Sequence, residues 1–145
     1  EYAMDVDEIG AVVNVDGTTI ASYRDGTDFG VRAVNPDNKA QGDWQSLEFR
    51  MPPKKAEQIT KVSHVEVFFD ALPAGCKIYF YYQKNKSGTW VQAMTADGND
   101  AFTIAGAKKA TFRIGEEMDI LERRLVLVPN GNTTPEIFRI LSYFQ

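Results

Sequence analysis

The chain has 145 residues, of which 43% are hydrophobic and 25% charged, with a formal net charge of −4. That is the size and composition of one ordinary folded domain, able to bury a core without metal or disulfide staples and too apolar to be disordered. The acidic balance argues against a nucleic-acid partner, which selects a basic face, and no stretch approaches the ~20 apolar residues of a membrane-crossing helix.

Residues 1–10 are acidic and weakly patterned and are expected to form a lead-in arm, with 11–145 as a single β-sandwich domain. Glu1–Asp5 has no signal-peptide character, and a chain starting at Glu1 is expected to be a processed chain or an excised domain. Ala11–Val15 is a short strand, and the turn dipeptide Asp16-Gly17 lets Thr18–Tyr23 return beside it as a hairpin. Arg24–Gly30 (RDGTDFG), with two Gly and two Asp, is expected as a loop.

Residues 35–43 (NPDNKAQGD) form a polar, breaker-rich surface excursion. Trp44–Met51 resumes a period of two, with Leu47, Phe49 and Met51 on one face and Glu48 and Arg50 on the other. Pro52-Pro53 ends pairing because neither residue donates a ladder hydrogen bond. Residues 54–60 are expected as one helical turn.

The strongest β region follows. Val65, Val67 and Phe69 share a face, opposite His64, Glu66, Phe68 and Asp70. After the turn at Leu72–Gly75, Ile78, Phe80 and Tyr82 share a face, with Tyr79 and Tyr81 on the other. Lys84–Gly88 turns the chain again and Thr89–Met94 returns, which makes a meander. A short strand near Phe102–Ile104, a strand over Ala107–Ile114, one helical turn over Gly115–Asp119, and strands over Leu121–Val128 and Glu136–Tyr143 complete the chain. The fold class is all-β: an antiparallel, jelly-roll-like two-sheet sandwich of about nine or ten strands with at most short helical turns.

The search for chemistry finds no catalytic constellation. His64 is the single histidine, without a nucleophile elbow or a Cys–His arrangement, and reads as a surface or edge residue. Cys76, the single cysteine, excludes an internal disulfide and reads as a small residue at a strand start. The basic pairs Lys54-Lys55, Lys108-Lys109 and Arg123-Arg124 stand apart and are offset by acids, as solvated loops and strand ends are. Glu48, Glu66 and Asp70 alternate with core residues and are expected to face solvent, whereas a glycosidase needs two carboxylates facing across a cleft. Calcium is the ion best suited to this chain, through Asp25 and Asp28 or Asp97 and Asp100. Such Asp-Gly tetrads also build tight turns, which is the plainer reading. No other cofactor is expected. The aromatic side chains Trp44, Tyr79, Tyr81 and Trp90 are the candidate ligand-binding residues, because exposed rings on a sandwich stack on sugars or anchor a partner protein.

Thr18–Gly30 (TTIASYRDGTDFG) resembles a strand–loop segment of β-sandwich modules in the virion proteins of tailed bacteriophages. Val62–Phe69 after Lys54-Lys55, Ile78–Trp90 with its Ser-Gly-Thr-Trp turn, and the ending Arg123–Pro129, Pro135–Ile137 and Ile140–Tyr143 fit the same series. The likeness spans most of residues 18–143 and carries no functional residue across. It implies a non-enzymatic assembly role in a tail, baseplate or capsid-decoration protein, with protein partners or self-association and a virion or extracellular location. Carbohydrate-binding modules share the same texture, which keeps a glycan partner, with or without calcium, as the alternative.

Overall fold

The computed structural model describes residues 6–33, 39, 41–50 and 60–145. Eleven strands occur among them: β1 (Glu8–Val15), β2 (Thr18–Asp25), β3 (Asp28–Ala33), β4 (Gly42–Gln45), β5 (Phe49–Arg50), β6 (Lys61–Phe69), β7 (Lys77–Lys84), β8 (Val91–Thr95), β9 (Lys109–Glu117), β10 (Ile120–Val128) and β11 (Ile137–Phe144). All pairings between them are antiparallel. Strands β1, β2 and β3 make a three-stranded meander. The others form an eight-stranded sheet in the order β11-β6-β9-β8-β7-β10-β4, with β5 also on β10. The fold is all-β and sandwich-like, as the alternation predicts.

Alternation decides what the large sheet buries. In β6, Val65, Val67 and Phe69 are fully buried, and in β7 Ile78, Phe80 and Tyr82 point to the same core. β9 adds Ala110 and Phe112, and β10 adds Leu121 and Leu125. The sheet curls so that β11, β6 and β9 face β7, β10 and β4. Phe80 stacks on Phe112 with ring centroids 5.4 Å apart, and Phe69 meets Phe102 edge-on at 5.8 Å. Across the seam where the two edges of the sheet approach, Phe49 stacks on Phe144 at 5.9 Å and Arg123 Nη1 donates to Ser142 Oγ at 3.4 Å. Each buried ring contributes about 1.5–3 kcal/mol by leaving water. Cys76 is buried at the start of β7, its Sγ 3.5 Å from the Thr133 carbonyl oxygen.

The three-stranded sheet is built differently. Asp16 (φ 48°) and Gly17 (φ 81°) adopt the doubly left-handed turn that matches strand twist in a two-residue hairpin. At Gly30 a Cβ would lie 2.7 Å from the Tyr23 ring, so glycine lets that ring lie flat on β3. Arg32 covers the ring at 4.4 Å. Of this sheet only Ala21 is buried, and none of its strands packs extensively on a strand of the large sheet.

Several local expectations are corrected. Arg24–Gly30 is not a loop: β2 runs on to Asp25, turns at Gly26-Thr27 and returns as β3, because the Asp-Gly turn is short enough to keep both strands paired. β1 begins at Glu8, inside the expected lead-in. Trp44–Met51 is broken between β4 and β5, where Ser46 takes over the pairing: its N–H donates to the Arg123 carbonyl and its Oγ accepts the Arg123 N–H. Leu47 is therefore 91% exposed and does not continue the face of Phe49, itself 42% exposed; Met51 lies outside the described residues. Phe102–Ile104 reduces to a single bridge between Phe102 and Ile78. Gly115–Asp119 is not helical. β9 continues to Glu117, and Asn85 Oδ1 accepts the N–H groups of Asp119 and Ile120, holding the chain extended into β10. The helical turn expected over 54–60 falls, apart from Thr60, outside the described residues.

Candidate functional site

The period of two in β7 sends Tyr79 and Tyr81 to the outer face of the sheet, opposite the buried Phe80. Register then assembles their neighbours. Tyr79 pairs with Val126, Tyr81 with Arg124 on one side and Gln92 on the other, and Val126 and Arg124 pair onward with Asp43 and Gln45 of β4. Trp90, just before β8, joins the same concave surface. The resulting groove has a volume of about 510 Å³ and is lined by Gln41, Tyr79, Tyr81, Trp90, Arg124, Val126 and Val128.

Arg124 is the polar anchor of this groove. Its Nε donates to both carboxylate oxygens of Asp43, at 3.0 and 2.9 Å, and its Nη2 donates to Oδ2. The guanidinium carbon lies 5.9 Å from the centre of the Tyr81 ring. Hydrogen bonding to Asp43 raises the Arg124 pKa further above its already high value, so the groove holds a permanent cation clamped in place. Two tyrosines, a tryptophan edge and a fixed bidentate ion pair suit a planar or ring-shaped polyhydroxyl ligand, which stacks on rings and exchanges hydrogen bonds with the pair.

Three of the four aromatic candidates, Tyr79, Tyr81 and Trp90, are thus brought together. Trp44 is not with them. Its cross-strand partner is Leu125, a core-facing position, so its ring lies on the opposite side of the sheet, in a second cleft with Arg123, Leu125, Leu127, Ile137 and Ile140. As one of a basic pair, Arg123 does not stand out as a site in the sequence. The available signal was its phase: Leu121, Arg123, Leu125 and Leu127 occupy one face of β10, so an arginine stands in a row of core leucines.

The other candidates are dispersed. Asp25 and Asp28 face each other across their turn, exposed, and the Gly26 N–H donates to Asp7 Oδ2 at 2.8 Å. Around Asp97 and Asp100 the loop is closed by Thr95, whose carbonyl accepts the Gly98 N–H and whose Oγ1 accepts the Asn99 N–H. Among the described residues no group of three or more His, Cys, Asp or Glu is arranged to hold a metal ion. Glu48, Glu66 and Asp70 do not converge: Glu48 pairs with Lys86, Glu66 with Lys109, and Asp70 is exposed beyond the end of β6.

His64 belongs to a surface network on the outer face of β11, β6 and β9. Its ring stacks on Tyr143 at 4.4 Å, and its Nδ1 lies 3.1 Å from Ser63 Oγ. Tyr143 donates to Glu66 at 2.8 Å, and Lys109 donates to the other carboxylate oxygen at 2.7 Å. These two donors hold the Glu66 carboxyl below its ordinary pKa, while Lys109 and Tyr143 are raised by the same bonds.

Compared with family models, with curated proteins and with solved structures, the chain matches none.

Proposed function

We propose that this chain is a non-enzymatic assembly module that makes protein–protein contacts, as the virion proteins of tailed bacteriophages do. The observation that carries the reading is the three-stranded sheet. Val13 and Val15 on β1 and Phe29 and Val31 on β3 share one face of the sheet, are between 50% and 76% exposed, and have no core beneath them. A meander that buries only Ala21 gains little from burial until a partner layer covers it, and a contiguous apolar surface of this kind marks an interaction site. The resemblance of Thr18–Gly30, which spans β2 and the first half of β3, to a phage virion segment points the same way. Multi-angle light scattering and sedimentation of the chain test it, alone and mixed with particle components. Association is expected, and Phe29→Ser with Val31→Ser is expected to abolish it while the large sheet stays folded. A strict monomer with no affinity for any particle component would contradict the proposal.

A second reading is favoured by the groove of Tyr79, Tyr81 and Trp90 beside the Arg124–Asp43 pair: a carbohydrate-binding module. A glycan array read with and without chelator separates the two. Saturable glycan binding lost in Tyr81→Ala supports it, the chelator reporting whether calcium takes part; silence across the array removes it.

A further inference from the structure

Strand β10 carries two neighbouring arginines with opposite fates. Arg124, on the outer face, is neutralised by Asp43. Arg123 points inward, in phase with the buried Leu121 and Leu125. Its Nε is buried and has no hydrogen-bond partner among the described residues. Its Nη1 makes one long bond, 3.4 Å, to the Ser142 hydroxyl. The adjacent carboxylate, Glu122, lies on the other face and accepts from Gln83. A half-buried guanidinium without a carboxylate carries a desolvation cost, and that burial pulls its pKa down.

This cation borders a cleft. Trp44, Leu125, Leu127, Ile137 and Ile140 give apolar walls to a space of about 510 Å³ at the seam between β10 and β11, with Arg139 also in its lining. The volume falls within the range of small-molecule sites, roughly 300–1,000 Å³, and the composition is the usual one: apolar walls with a few fixed polar groups. A guanidinium presents a planar fork that matches a carboxylate.

We infer that the cleft between β10 and β11 binds a small amphipathic carboxylate, whose carboxylate is taken by Arg123 and Ser142 and whose hydrocarbon body lies against Trp44, Leu125, Leu127 and Ile140. A phosphate dianion fits less well, because the inward donors are one guanidinium and one hydroxyl, while the second arginine of the lining, Arg139, is exposed and lies over the Phe68 ring. The site lies on the opposite side of the sheet from the tyrosine groove and apart from the three-stranded sheet, so it is independent of the assembly and glycan readings.

Calorimetric and NMR titration of the full chain with three probes tests this: octanoate, octanol with the same body and no charge, and acetate with the charge and no body. Octanoate is expected to bind saturably, roughly tenfold or more tighter than either control, with shifts confined to Trp44, β10 and β11. Arg123→Met is expected to erase the preference for octanoate over octanol. Ser142→Asp, which supplies an internal carboxylate to Arg123, is expected to exclude octanoate and raise the unfolding temperature, and it keeps the test open if Arg123→Met fails to fold. The inference is overturned by absent octanoate binding in the millimolar range, by equal affinity for octanol, by shifts that map to Tyr79, Tyr81 and Trp90 instead, or by a Ser142→Asp variant that retains the preference.

Discussion

At the scale of single residues, phase within a strand decides burial, and burial decides consequence. Phe112 is fully buried on β9 and stacked on Phe80. Phe112→Ala is expected to cost about 3–5 kcal/mol, a large share of a typical domain's stability of about 5–15 kcal/mol, read as a lower urea midpoint. Leu47, 91% exposed, is expected to tolerate serine within about 0.5 kcal/mol. Glu66 gives a pH-dependent prediction. Because Lys109 and Tyr143 hold its folded pKa below the ordinary value, its contribution is complete above the unfolded glutamate pKa, about 4.3, and is lost as pH falls through the lower folded value. Lys109 and Tyr143 are raised, so their contribution is complete at neutral pH and is lost on the alkaline side as pH climbs through their folded values. Glu66→Gln is therefore expected to flatten both limbs of a stability–pH profile. The network is exposed, so the effect is small and shrinks with salt.

At the scale of elements, the turns explain what the residue pattern leaves open. Asp16-Gly17 reads as a hairpin in the sequence and is one, since few residues other than glycine tolerate its dihedral angles. Asp25–Asp28 carries the same chemistry, yet the neighbouring Arg24, Phe29 and Gly30 interrupt the alternation and make it look like a loop; pairing with the already formed β2 is what orders β3. The interruption of Trp44–Met51 was illegible for the opposite reason. Its residues alternate well, and the break comes from Ser46 bonding to Arg123, some eighty positions away in the chain. Gly30 tests the packing of the small sheet. Gly30→Val is expected to lift the Tyr23 ring off β3 and release Arg32 from it, seen as lost ring-current shifts at both positions. The denaturation midpoint of the large sheet stays unchanged, because the two sheets share no extensive packing.

At the scale of the whole molecule, stability is distributed unevenly. The curled eight-stranded sheet and its connections hold the buried apolar side chains of the core, and the three-stranded sheet holds Ala21 alone. Hydrogen exchange is expected to follow this division. Amides of β6, β7, β9 and β10 exchange only through global opening, while those of β1–β3 exchange through local opening at much lower free energy. Slow exchange in β1–β3 that appears only at high protein concentration would report the covering partner proposed above. Alternation, ring-rich runs and turn residues, all properties of neighbours in the chain, were enough to establish the all-β class, the strands that make up the core, and the inward and outward faces of β6 and β7. Which outer residues meet was decided by register between strands distant in sequence. That register joined Tyr79 and Tyr81 to Arg124 and Asp43, and it sent Trp44 across the sheet to Arg123. A one-residue slip in pairing exchanges the two faces of a strand, so the membership of either cleft depends on the tertiary structure alone.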